Sequence, residues 1–147
     1  MIFSDQLKFS TNQDLSQVAG TYPSTNVIDT GAAGTVYGAA AALARNVGPG
    51  KEVPILVQLT EDFTSGGAAT LQFQIETADE EAMDTTNVVV AESGIYALAD
   101  MVAGLQFPVA ILPNAMKRFI RVNYVIGVAT TTAGLATAGI VAGVQTN

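Results

Sequence analysis

Period-two alternation of apolar and polar residues is the feature that most restricts what this chain can become. Leu71, Phe73 and Ile75 alternate with Gln72, Gln74 and Glu76. Leu105, Phe107, Val109 and Ile111 alternate with Gln106, Pro108 and Ala110, and Ile120, Val122, Tyr124 and Ile126 with Arg121 and Asn123. Ile55, Val57 and Leu59 do the same within Pro54–Thr60. Successive side chains of a strand point to opposite faces, so each run reads as a strand with one face in a core. Shorter candidates are Leu7–Phe9, Val27–Ile28, Val88–Ala91 and Ala138–Val144, the last with Ile140, Ala142 and Val144 on one side. Tyr124 is in phase with Ile120 and Val122, which predicts a core ring whose hydroxyl reaches an edge. Turn signals at Gly48-Pro49-Gly50, Ser65-Gly66-Gly67, Pro113-Asn114 and Ala133-Gly134 separate the runs. About eight short strands between turns predict an all-β fold, a jelly roll or β-sandwich.

Two segments depart from the alternation. Thr35–Asn46 carries Ala39 to Ala42 and stops at Asn46, Gly48 and Pro49, which predicts one or two helical turns or a Gly/Ala-rich loop that docks on a neighbour. Ala97–Ala103 predicts a second short helical piece. Residues 1–20 are polar with isolated apolar anchors and read as an N-terminal arm or edge strand; 21–147 read as a single domain. No repeat and no linker divides the chain.

Composition then removes functions. The 147 residues contain no Cys and no His. Disulfide scaffolds, thiolate or imidazole metal sites, cysteine nucleophiles and the Ser-His-Asp triad are thereby excluded. Six Lys and Arg against thirteen Asp and Glu leave a net charge of −7, a field that repels phosphate backbones, so no nucleic-acid partner is expected. Charged residues are only 13% of the chain, about half the usual share of ~25%, so the surface must be Thr, Ser, Asn, Gln, Gly and Ala. Such a surface suits burial against a partner. MIFSDQLKFS has no basic or apolar signal region, and Gly127 to Val144 is too rich in Thr for a spanning helix, so no membrane partner is expected.

Candidate sites are few. Glu76, Asp79, Glu80, Glu81 and Asp84 contain enough carboxylate for a hard cation, but lack the alternating ligands and central Gly of a calcium loop, and read as a solvated acidic turn. Glu61 and Asp62 are adjacent on a strand end, hence on opposite faces, and read as a polar turn rather than a glycosidase pair. Gly48-Pro49-Gly50-Lys51 fails the phosphate-loop pattern at Arg45 and Glu52. Lys117, Arg118 and Arg121 are half of the positive charges and read either as local neutralisation or as intersubunit ion pairs. No catalytic residue, metal or cofactor is expected, and the chain is not expected to be an enzyme.

A wider pattern is visible in Asp5-Gln6-Leu7-Lys8-Phe9-Ser10, Ser24-Thr25-Asn26-Val27-Ile28-Asp29-Thr30-Gly31, Leu56-Val57-Gln58-Leu59-Thr60-Glu61 and Gly67-Ala68-Ala69-Thr70-Leu71. It continues in Arg118-Phe119-Ile120-Arg121-Val122-Asn123-Tyr124 and the Thr/Ala/Gly-rich Leu135 to Val144. Together these resemble the capsid cement (head decoration) proteins of tailed bacteriophages. The resemblance implies a jelly-roll subunit, made in the host cytoplasm and placed on the outer surface of the virion. There, as a homo-oligomer (dimer or trimer), it would bridge copies of the major capsid protein. Leu7, Phe9, Arg118 and Arg121 are the candidate capsid or intersubunit contacts. The alternative is a carbohydrate- or cell-surface-binding β-sandwich, an architecture that also hosts lectins. A small carboxylate enzyme on the same scaffold is the third.

Overall fold

A computed structural model describes residues 4–32, 34–35, 37–41, 52–111 and 116–142. The alternating runs become strands because only a sheet puts every second residue on the same side. Among the described residues there are twelve: β1 (Lys8–Asp14), β2 (Gly20–Pro23), β3 (Ile28–Asp29), β4 (Val53–Leu59), β5 (Thr64–Ser65), β6 (Thr70–Ala78), β7 (Val88–Glu92), β8 (Tyr96–Ala97), β9 (Gln106–Ile111), β10 (Phe119–Gly127), β11 (Thr131–Ala133) and β12 (Leu135–Ile140). Two 3-10 turns, Asp5–Leu7 and Leu98–Asp100, are the helical pieces of these residues. The second lies inside the predicted Ala97–Ala103 piece. Of Thr35–Asn46, residues 35 and 37–41 are described and form turn and bend with no helix, while residues 36 and 42–46 lie outside the described residues.

Pairing gives one sheet in the order β1-β12-β4-β9 and another in the order β2-β10-β6-β7, antiparallel throughout. Beside these, β3 pairs β10, β8 pairs β6, and β5 with β11 makes a two-stranded ribbon. The eight long strands therefore cross between the two sheets in the jelly-roll manner. One alternation is placed differently from its prediction. The last strand runs Leu135–Ile140, its register set by β4 from Ala136 against Leu59 to Ile140 against Ile55. Residues 143 and 144 of the predicted run lie outside the described residues.

The core lies between the sheets. Ile55, Val57 and Leu59 face Leu71, Phe73, Ile75, Ile120, Val122 and Tyr124. Phe73 is its centre: it stacks on Phe107 at 5.8 Å, meets Tyr124 edge-on at 6.0 Å and touches Tyr96 at 5.7 Å. Tyr124 is fully buried, and its hydroxyl hydrogen-bonds the hydroxyl of Ser10 on edge strand β1. Burial pushes the Tyr124 phenol above its ordinary pKa, against the opposing effect of that hydrogen bond.

Candidate interaction surface

Arg121, Asn123 and Glu76 alternate with core residues and so face away from the sandwich, yet Glu76 is 5% and Asn123 4% exposed. The cover is the β6–β7 connection, which folds back over the sheet. Met83 packs there against Ala78 and Phe119, with Val27 alongside. Below it, Glu76 is held by three donors: Arg121 Nε at 2.7 Å and Asn123 Nδ2 at 2.8 Å on one oxygen, Asn87 Nδ2 at 2.5 Å on the other. Arg121 also donates to the Met83 carbonyl at 3.2 Å. Burial raises the Glu76 pKa, but the bonds from Asn123, Asn87 and Arg121 outweigh it and hold the carboxyl below its usual range. The connection closes on itself through Glu80, which accepts from the backbone and hydroxyl groups of Thr85 and Thr86. Those bonds, Thr86 first, take Glu80 to about 2. Lys117 ties the same loop to β10, with Nζ 2.9 Å from Asp79 and 2.6 Å from the Thr86 carbonyl. The acidic cluster is thus partly internal: Glu76 and Glu80 hold the connection together, while Glu81 and Asp84 are exposed.

The four candidate contacts fall into two groups. Leu7 ends the first 3-10 turn and is 38% exposed. Phe9, two residues on, is fully buried in the core, so its ring offers a partner no surface. Arg118 lies on the other sheet's side of the molecule, over the Phe119 ring at 4.8 Å, and forms a two-bond fork to Asp29 at 2.8 and 2.7 Å. That fork, with the Gly31 N–H, lowers Asp29 to about 2. Arg121 is committed to Glu76 of its own chain. With Lys8 on Asp5 and Lys117 on Asp79, all four cations among the described residues are paired within the chain.

Sequence reasoning passed over a different surface. Val88 is 50%, Val89 43% and Ile95 71% exposed, and all three lie along the edge formed by β7 and β8. The available signal was Val88-Val89-Val90: three apolar residues in a row put at least one on the outer face of any strand. An open groove of about 560 Å³ is lined by polar groups including Thr25, Asn26 and Glu81, and by Asp5 and Lys8, which bond each other. Among the described residues no cluster of three or more acidic side chains could hold a metal ion, and no helix is long and apolar enough to cross a membrane.

The model of the Bbp16 family matches residues 9–140, from the buried Phe9 to the last residue of β12. The chain belongs to the Bbp16 family. This family is phage-associated. The Bbp16 match takes in both sheets, the loop over Glu76 and the β7–β8 edge. No curated protein matches the chain.

Proposed function

We propose that this Bbp16-family protein is a structural virion component that binds the outer surface of a phage capsid and cements neighbouring major capsid protein subunits. It works as a homo-oligomer, without cofactor or turnover, on the outside of the head. The observation that carries the reading is the family match over residues 9–140. The surface chemistry supports it. With 13% charged residues and large apolar side chains exposed at Leu7, Val18, Val88, Val89, Ile95 and Val128, little charge must be desolvated on docking. A ligand that binds the assembled shell and not its separated subunits stabilises the shell by mass action, and contacts across many seams add avidity.

The test mixes the purified protein with heads of the same phage assembled without it, followed by sedimentation and calorimetry. Saturable binding at a fixed ratio per capsid subunit, with a higher melting temperature of the heads, is the expected result. Failure to sediment with heads, together with glycan binding by a monomer, would replace this reading with the carbohydrate-binding one.

A further inference from the structure

Each sheet of the sandwich ends in two edge strands, and an edge left open is a template for another chain. Three of the four are closed. Edge β1 is bulged at two places and has Asn12 at φ 46°, and the Phe9 carbonyl on its outer side accepts from Asn26 N–H at 2.8 Å and Thr25 Oγ1 at 3.2 Å. Edge β2 has four residues and ends in Pro23. Edge β9 carries Pro108, which has no N–H to offer, in its middle.

Edge β7 is the least protected of the four, although β9 of the other sheet approaches it. It pairs with β6 alone, has neither Pro nor Lys, and exposes Val88 and Val89; its one irregularity is a bulge at Val90, where Ile75 opposes Ala91 and Glu76 opposes Val89. The same edge continues through exposed Ile95 into β8, which pairs the other end of β6. Acid surrounds it: Glu81 and Asp84 lie in the loop that leads into β7, Glu92 ends it, and Asp100 follows β8; all are exposed. The chain's described cations are bound to other carboxylates, and of the rim acids Glu81 alone is attracted by one of them, Arg118, so the rim keeps an excess of acid.

We infer that the β7 edge accepts an added strand from an extended segment of the capsid protein, one with alternating apolar side chains and flanking Lys or Arg. The inference rests on the capsid-binding reading. Backbone bonding supplies the attachment, Val88 and Val89 the apolar contact, and the acidic rim selects a basic strand. The same charges disfavour a second copy of this chain. Antiparallel self-pairing about Val90 sets Glu92 of each copy beside the Val88 end of the other, next to its Asp84 and Glu81.

The experiment compares wild type, Val89→Lys, Val89→Glu and a control, Val102→Lys, for binding to heads lacking the protein. Val102 is as exposed as Val88 but lies off the edge. Melting curves of the free proteins verify that each variant folds. Val89→Lys should bind at least about tenfold more weakly, Val89→Glu should lose less, and Val102→Lys should match wild type. Hydrogen exchange of the head-bound wild type should slow at Val88–Glu92. Wild-type protein that ignores heads removes the capsid reading itself. Wild-type binding with equal binding by both Val89 variants, or β7 amides that exchange as fast on heads as off them, overturns the inference alone. So does a Val89→Lys variant that still binds heads but loses its own oligomer, because the edge then belongs to a second copy.

Discussion

Gly134 shows how narrowly one residue is specified. It joins β11 to β12 at φ 143°, a conformation that L side chains rarely adopt, and its carbonyl accepts from Leu15 N–H at 2.9 Å. A Cβ there would sit 2.5 Å from the ring of Phe63, which is itself buried. Gly134→Ala therefore combines backbone strain with overpacking and should cost about 2–3 kcal/mol of unfolding free energy in urea titration. Arg121 is specified by what lies beneath it. Removing one partner of a buried ion pair leaves the other charge uncompensated, which typically costs 3–5 kcal/mol. Glu76 keeps its two Asn donors, so Arg121→Ala should fall near the low end, about 3 kcal/mol. The double variant Arg121→Met, Glu76→Gln should lose less, since no buried charge remains.

At the scale of elements, β4, β6, β9 and β10 were legible because alternation over several residues marks a strand, even though Ile55-Leu56-Val57 interrupts it in β4. Tyr124 in the core was legible for the same reason. Three things were not. Gly20-Thr-Tyr-Pro has one large apolar residue and gives no period, so β2 could not be seen; β10 alone, pairing Tyr124 with Tyr22, makes it a strand. The sequence placed Glu76, Arg121 and Asn123 on a solvated face, because alternation reports which side a residue faces and not what covers that side. The loop that covers them read as charge without structure, although Met83 and Glu80 are its anchors. Of the candidate contacts, Phe9 read as part of an arm or edge strand facing a partner because its neighbours are polar; it is on an edge strand, but β1 pairs β12 and turns the ring inward. The loop anchors are testable as a unit. Thr86→Val removes a donor to Glu80, and hydrogen exchange should speed up across Asp79–Asn87 while β4 and β12 stay unchanged.

For the whole molecule, acid is the condition that should unfold it. A carboxyl held below its ordinary pKa by the fold contributes stability that is complete above the unfolded value and lost as pH falls through the folded one. Glu76 is lowered from 4.5, Glu80 from 4.5 to about 2, and Asp29 from 3.8 to about 2. Melting temperature should therefore drop as pH goes from about 4.5 towards 2, chiefly through Glu76, since exposed groups are screened by water. Tyr124 acts in the opposite direction. Its raised pKa keeps the phenol neutral in the fold, so its contribution is present below the ordinary value of 10.0 and is lost as pH rises beyond it. A melting series across pH, with Glu76→Gln flattening the acid limb, checks both signs.

The jelly-roll order has one more effect, on timing. The last described strand, β12, is wedged between the first described one, β1, and β4, and touches both along their length. Ser10 and Ala138, far apart along the chain, must meet before that sheet can assemble, and such distant pairings are slow to form. A chain cut before Leu135 would leave β1 with no strand to pair, so it should fail to form this sheet.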